Sequence, residues 1–98
     1  MAELELKFAP AFRRDYKKRV RTKRDRDAIR EVFSLIRENT EESRFELTQR
    51  HRAHMLSGSW KGSHECHICN AGDWLLVWRV QDGIAVFQRT GTHNDIFR

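Results

Sequence analysis

Residues 3–8, Glu-Leu-Glu-Leu-Lys-Phe, alternate strictly between polar and apolar. The pattern predicts a half-buried strand with Leu4, Leu6 and Phe8 toward a core and Glu3, Glu5 and Lys7 toward water. Pro10 stands where a helix can open without losing a hydrogen bond, and Phe12, Tyr16 and Val20 then recur at fours, a thin apolar stripe on a basic helix. Ile29, Val32, Phe33 and Ile36 follow the i, i+3, i+4, i+7 spacing of a second helix. Asp25 or Asp27 is placed to cap it, and it should end near Asn39–Thr40. Residues 41–64 are polar, with turn signals at Ser57-Gly58 and Lys61-Gly62, and read mostly as irregular structure. A short strand is expected at about 64–69. Trp74–Val80, apolar on both faces until Arg79, reads as a central strand. Gln81-Asp82-Gly83 is a hairpin turn, and Ile84–Thr90 returns with Arg89 on the face of Ala85 and Phe87. The order is β-α-α-β-β-β: an α+β fold, a mostly antiparallel twisted sheet with a two-helix hairpin on one face, in one domain over 1–98.

Charge narrows the partners. Nineteen Lys and Arg against fourteen Asp and Glu give a formal net charge of +5. Arg13 to Arg26 holds much of it, and such a run is either a solvated helix face, a track for a nucleic-acid backbone or a dock for an acidic protein. No apolar run approaches the roughly 20 residues of a membrane span, and a signal-peptide core is lacking, so a cytoplasmic protein is expected. Cys66 and Cys69 are too few for a disulfide framework. With His64 and His67 they could be metal ligands, but on a strand they would point to opposite faces, and no second Cys pair completes a zinc site.

The last ten residues are the chemically richest. Arg89, His93 and Phe97 recur at fours: a planar fork for phosphate oxygens, an imidazole able to move a proton near neutrality, and a face for a nucleobase. Together they read as a phosphodiester site on RNA. Metal-free cleavage needs a base for the 2′-OH, an acid for the leaving 5′-oxygen and cationic donors for the charged phosphorane.

The stretch His54-Met55-Leu56-Ser57-Gly58-Ser59-Trp60-Lys61-Gly62, followed by His67, Asp73-Trp74 and Arg89-Thr90-Gly91-Thr92-His93 with Asp95 and Phe97, resembles the YafQ branch of RelE-like bacterial toxins. The basic Phe12-Arg13-Arg14-Asp15-Tyr16-Lys17-Lys18 extends the likeness to nearly the whole chain. The resemblance implies a ribosome-dependent mRNA endonuclease of a type II toxin–antitoxin pair, using no metal or other cofactor and cutting mRNA in the ribosomal A site. It implies a cognate DinJ/RelB-like antitoxin, in a heterotetramer that touches operator DNA only through the antitoxin, and no membrane. Carried over by motif, the catalytic positions are His54, His67, Asp73, Arg89 and His93. Trp74 and Phe97 would stack on or brace a base, although the apolar strand that Trp74 starts places it equally well in the core. Lys61 would either add a phosphate contact or, the stronger reading, be simply solvated. The connection from Ile68 to Gly72 is about two residues longer than the family pattern and lacks its Pro, which bears on Asp73. Which histidine is base and which acid stays open, as do codon preference and whether this copy is active. The sister ParE-like toxins, which act on DNA gyrase, share the fold without this set and give the alternative reading of a non-catalytic binding module.

Overall fold

The structure, a computed structural model, describes residues 2–69 and 72–97. The elements run β1 Glu5–Phe8, α1 Pro10–Arg19, α2 Lys23–Glu38, α3 Glu41–His51, β2 His54–Met55, a 3-10 turn at Gly58–Trp60, β3 His64–His67, β4 Leu75–Gln81, β5 Ile84–Gly91 and α4 His93–Ile96. The sheet order is β1-β5-β4-β3-β2. Among the described residues only β1 pairs in parallel, against β5; the other three pairings are antiparallel. The expected α+β class holds, with five strands in place of four.

Residues 41–54 correct the expectation of irregular structure. Thr40 and Ser43 form a reciprocal capping box, and α3 runs on to His51. Its buried positions are Ser43, Leu47 and His51, a helical stripe with one strongly apolar member. Hydrophobic periodicity has almost nothing to register there. The second helix also starts earlier than expected. Thr22 is its cap, with Asp25 at the third helical position returning the bond.

The core lies between the helices and one face of the sheet. Phe8, Phe12, Phe33 and Phe87 pack there with ring centroids 4.7 to 6.2 Å apart. Ile29, Val32, Leu76 and Trp78 complete it. Leu6 and Phe8 pack against it while Glu5 and Lys7 are exposed, as the alternation predicted. Both cysteines join this cluster, Cys66 fully buried and Cys69 partly so. They were expected on opposite faces, but β3 ends at His67 and Cys69 folds back from beyond it. Burial pushes the Cys66 thiol up. Among the described residues no three His, Cys, Asp or Glu side chains converge as a metal site would need.

A β-bulge determines what the other face presents. Trp78 pairs with Phe87 and Val77 with Arg89, so Gln88 is the extra residue. Arg89 therefore leaves the face of Ala85 and Phe87, where strict alternation put it, and lies opposite Val77. The hairpin before it turns through Asp82 and Gly83, both left-handed (φ 53° and 77°), as a two-residue loop requires.

Candidate active site

Residues directly opposite in paired strands share a face of the sheet. His54 faces Glu65, Glu65 faces Val77, and Val77 faces Arg89. A second row one step along joins His67, Leu75 and Gly91. Four strands thus bring His54, His67 and Arg89 onto one face, away from the aromatic core. Leu75 and Val77 form a small apolar floor there with Ile96, against which Leu56, Trp60 and Phe97 pack.

The tail is set over this floor by a third capping box. Thr92 and Asp95 exchange backbone and side-chain bonds at the start of α4. Gly91 makes the approach possible. At φ 150° it occupies backbone space that is nearly glycine's alone, and an added Cβ would lie 2.9 Å from an Asp95 carboxylate oxygen.

His93 is the best-built member of the site. Asp73 accepts hydrogen bonds from its backbone N–H (3.2 Å) and from its ring Nδ1 (2.6 Å). A carboxylate on Nδ1 fixes the tautomer and aims Nε2 outward. Asp73 is therefore an orienting group for His93. The long connection before Asp73 includes Asn70 and Ala71, which lie outside the described residues, and Asp73 reaches His93 all the same. His93 lies 6.3 Å from His67 and 6.2 Å from Phe97 between ring centroids. Trp60 meets Phe97 edge to face at 5.7 Å, so an aromatic wall stands beside the imidazoles.

His54 and His67 are held differently. His54 Nδ1 donates to the Arg52 carbonyl at 2.9 Å, and its Nε2 is 3.3 Å from Glu65. His67 Nδ1 is buried and has no partner among the described residues. Burial first, then the neighbouring Arg52 charge, holds the His67 pKa below its ordinary 6.5, so the ring is neutral at pH 7 and free to accept a proton. Arg52→Gln should move the His67 titration upward in imidazole NMR, because one opposing cation is gone. Acid should also destabilise the fold. His64, lowered by burial, and His67 bind fewer protons folded than unfolded, so stability falls as pH drops below about 6.5. A melting temperature lower at pH 5.5 than at pH 7.5, with the difference reduced in His67→Gln, is the expected result.

Several sequence expectations change here. Of the two readings of Trp74, against a base or in the core, the structure shows the core: it is 2% exposed. Its indole donates to Thr90 at 2.8 Å, and Arg19 covers its ring at 3.9 Å, leaving no face for a nucleobase. Lys61 is exposed, and its structural role is a carbonyl that accepts from Arg79 at 2.7 Å. His51 and His64, which match no position of the family motif, are respectively buried and half-buried; His51 donates to the His67 carbonyl at 2.8 Å, and His64 stacks on Trp78. Glu65, Trp60 and Asp15 are members that the sequence reasoning passed over. Glu65 had one available signal: it stands two before His67, hence on the same strand face.

Arg89 donates to Asp15 through Nε (2.6 Å) and Nη2 (3.2 Å), and from Nη2 to the Asp95 carbonyl (3.3 Å). A cleft of about 310 Å³ opens beside it, lined by Lys18, Arg19 and Gly91 among others. The larger hollow, about 400 Å³, is apolar and lies toward Leu35, Leu47 and Trp78. The imidazoles thus sit on an open surface beside a charged cleft.

Comparison with known proteins gives the family and the fold. A sequence profile described as the bacterial toxin of type II toxin–antitoxin system, YafQ, matches residues 4–98. Over 97 residues the chain is 28% identical to the mRNA interferase toxin YafQ of Escherichia coli, covering 99% of each. The crystal structure of Escherichia coli YafQ superposes with a TM-score of 0.77 at 26% identity, covering 98% of this chain and 100% of that one. YafQ in the Escherichia coli DinJ–YafQ complex gives 0.75 at 27%, with coverage of 98% and 100%. A copper-bound mutant toxin from Helicobacter pylori gives 0.80 at 30%, covering 96% and 99%. On a match that spans nearly its whole length, the chain belongs to the YafQ family of bacterial type II toxin–antitoxin toxins.

Proposed function

We propose that this protein is an endoribonuclease toxin that inhibits translation by cutting mRNA in the ribosomal A site, by acid–base chemistry without a metal. The observation that carries the reading is the grouping of His67, oriented His93, His54 and Arg89 on one sheet face beside Trp60 and Phe97. The name of the Escherichia coli relative, an mRNA interferase, supports the same substrate.

His67, neutral and with Nδ1 buried, accepts the 2′-OH proton through Nε2. The 2′-oxygen attacks phosphorus, and the bond to the 5′-oxygen breaks. His93, as an imidazolium whose Nδ1–H is held by Asp73, delivers its Nε2 proton to that leaving oxygen. Arg89 holds the non-bridging oxygens as charge builds on the phosphorane. His54 with Glu65 forms a second proton-carrying pair beside them, and Phe97 with Trp60 braces the nucleobase. The products are a 2′,3′-cyclic phosphate and a 5′-hydroxyl.

The surface is open, so a flexible strand is poorly ordered on the isolated protein, and the ribosome supplies that ordering. A cognate antitoxin of the DinJ type, the partner seen with Escherichia coli YafQ, would neutralise the toxin by covering this basic surface, in a two-plus-two assembly that reaches operator DNA through the antitoxin. Cytoplasmic action follows from a ribosomal target.

Pulsed expression in a bacterial host tests the reading. Growth arrest with rapid loss of translated transcripts, relieved by antitoxin co-expression, is expected. Arrest of replication with intact transcripts would instead favour a gyrase-type target and overturn it.

A further inference from the structure

We propose that Asp15 is a positioning residue for the RNA-cleaving reaction, acting through Arg89; this rests on the function proposed above. The pair joins residues 74 apart in sequence. β1 pairs with β5 only through Phe87, and beyond that point α1 lies along the outer edge of β5. There Asp15 Oδ2 accepts from the Thr90 N–H at 3.1 Å and from Arg89 Nε at 2.6 Å, while Oδ1 accepts from Nη2 at 3.2 Å. One carboxylate thereby fixes the strand and the guanidinium together, immediately before the Gly91–His93 turn.

Donor accounting shows what this does. A guanidinium has five N–H donors in a fixed fork. Nε and Nη2 are committed to Asp15 and the Asp95 carbonyl, which leaves Nη1 to meet a phosphate end-on. The arrangement sacrifices charge for direction, since a paired arginine is a weaker anion attractor than a free one. That trade suits this surface. The segment from Arg13 to Arg26 already supplies many cations, and Lys18 and Arg19 line the same cleft. Attraction is abundant there and a fixed donor is not. The Asp15 hydrogen bond is also the main reason the Arg89 pKa is raised.

The test compares Asp15→Asn, Asp15→Glu, Arg89→Ala and the Asp15→Asn/Arg89→Ala double variant for cleavage of ribosome-bound mRNA. Proton–nitrogen NMR of the Arg89 Nε–H is recorded on each protein that retains Arg89, and circular dichroism confirms folding. Asp15→Asn should lower kcat by about 10- to 100-fold, as expected for a misplaced catalytic donor, with KM little changed. Asp15→Glu should recover part of that loss, and Asp15→Asn should add nothing in the Arg89→Ala background. The Nε–H should be protected from exchange in the wild type and lose protection in Asp15→Asn. Wild-type kcat in folded Asp15→Asn, or losses that multiply in the double variant, would overturn the proposal. An inactive wild type with a protected Nε–H would sink the nuclease reading, and any role for Asp15 in cleavage with it. An active wild type with an unaffected Asp15→Asn would sink the Asp15 role alone.

Discussion

His93→Gln is expected to reduce mRNA cleavage by about 10²- to 10⁴-fold, the usual worth of one acid–base group, while melting temperature and antitoxin binding stay near wild type. The ring is exposed on one side, and Asp73 holds it on the other, so its replacement removes a proton carrier without opening the core. Asp73→Asn should produce a smaller fall, because the imidazole stays and loses its orientation. Rates should be compared under single turnover on ribosome complexes. Wild-type cleavage by His93→Gln would remove this residue from the chemistry.

The largest stability effect should come from Phe87→Ala. Phe87 is fully buried and stacks or tilts against Phe8, Phe12 and Phe33, joining β1, α1, α2 and β5 at one point. Truncating a buried Phe costs about 3–5 kcal/mol. A domain of this length has about 5–15 kcal/mol in total, so the variant should be marginally folded or unfolded at 37 °C. Phe97→Ala, by contrast, removes a partly buried ring from the small satellite cluster and should cost far less stability. Denaturant melts of the two variants check this; equal losses would contradict a single central core beneath α1 and α2.

What the sequence made legible follows from what each element hides. β1 and β4 show their burial as alternation or as an unbroken apolar run, and α2 shows it as helical spacing. α3 buries Ser43 and His51 on either side of Leu47, so its inward face looks polar. The bulge at Gln88 leaves no mark in composition, yet it moves Arg89 to the other side of the sheet. The grouping of His54, His67, Arg89 and His93 was suggested by the motif alone, since strand alternation set Arg89 on the opposite face and His93 stands on a helix. Asp15 was not, since it lies inside a basic helix and meets Arg89 only through the parallel β1–β5 pairing. Trp74 was readable both ways, by motif against a base and by its apolar strand in the core, and its indole is spent on Thr90 and Arg19.

In the function proposed here, these side chains break RNA by using its own 2′-hydroxyl. The direct measurement is cleavage of a ribosome-bound message carrying a single 2′-deoxynucleotide at the cut site, with the ends of the all-ribose product analysed in parallel. No cut is expected at the deoxy position, and 2′,3′-cyclic phosphate with 5′-hydroxyl ends are expected on the all-ribose message. Cutting of the deoxy message at an undiminished rate, or 5′-phosphate ends, would contradict it.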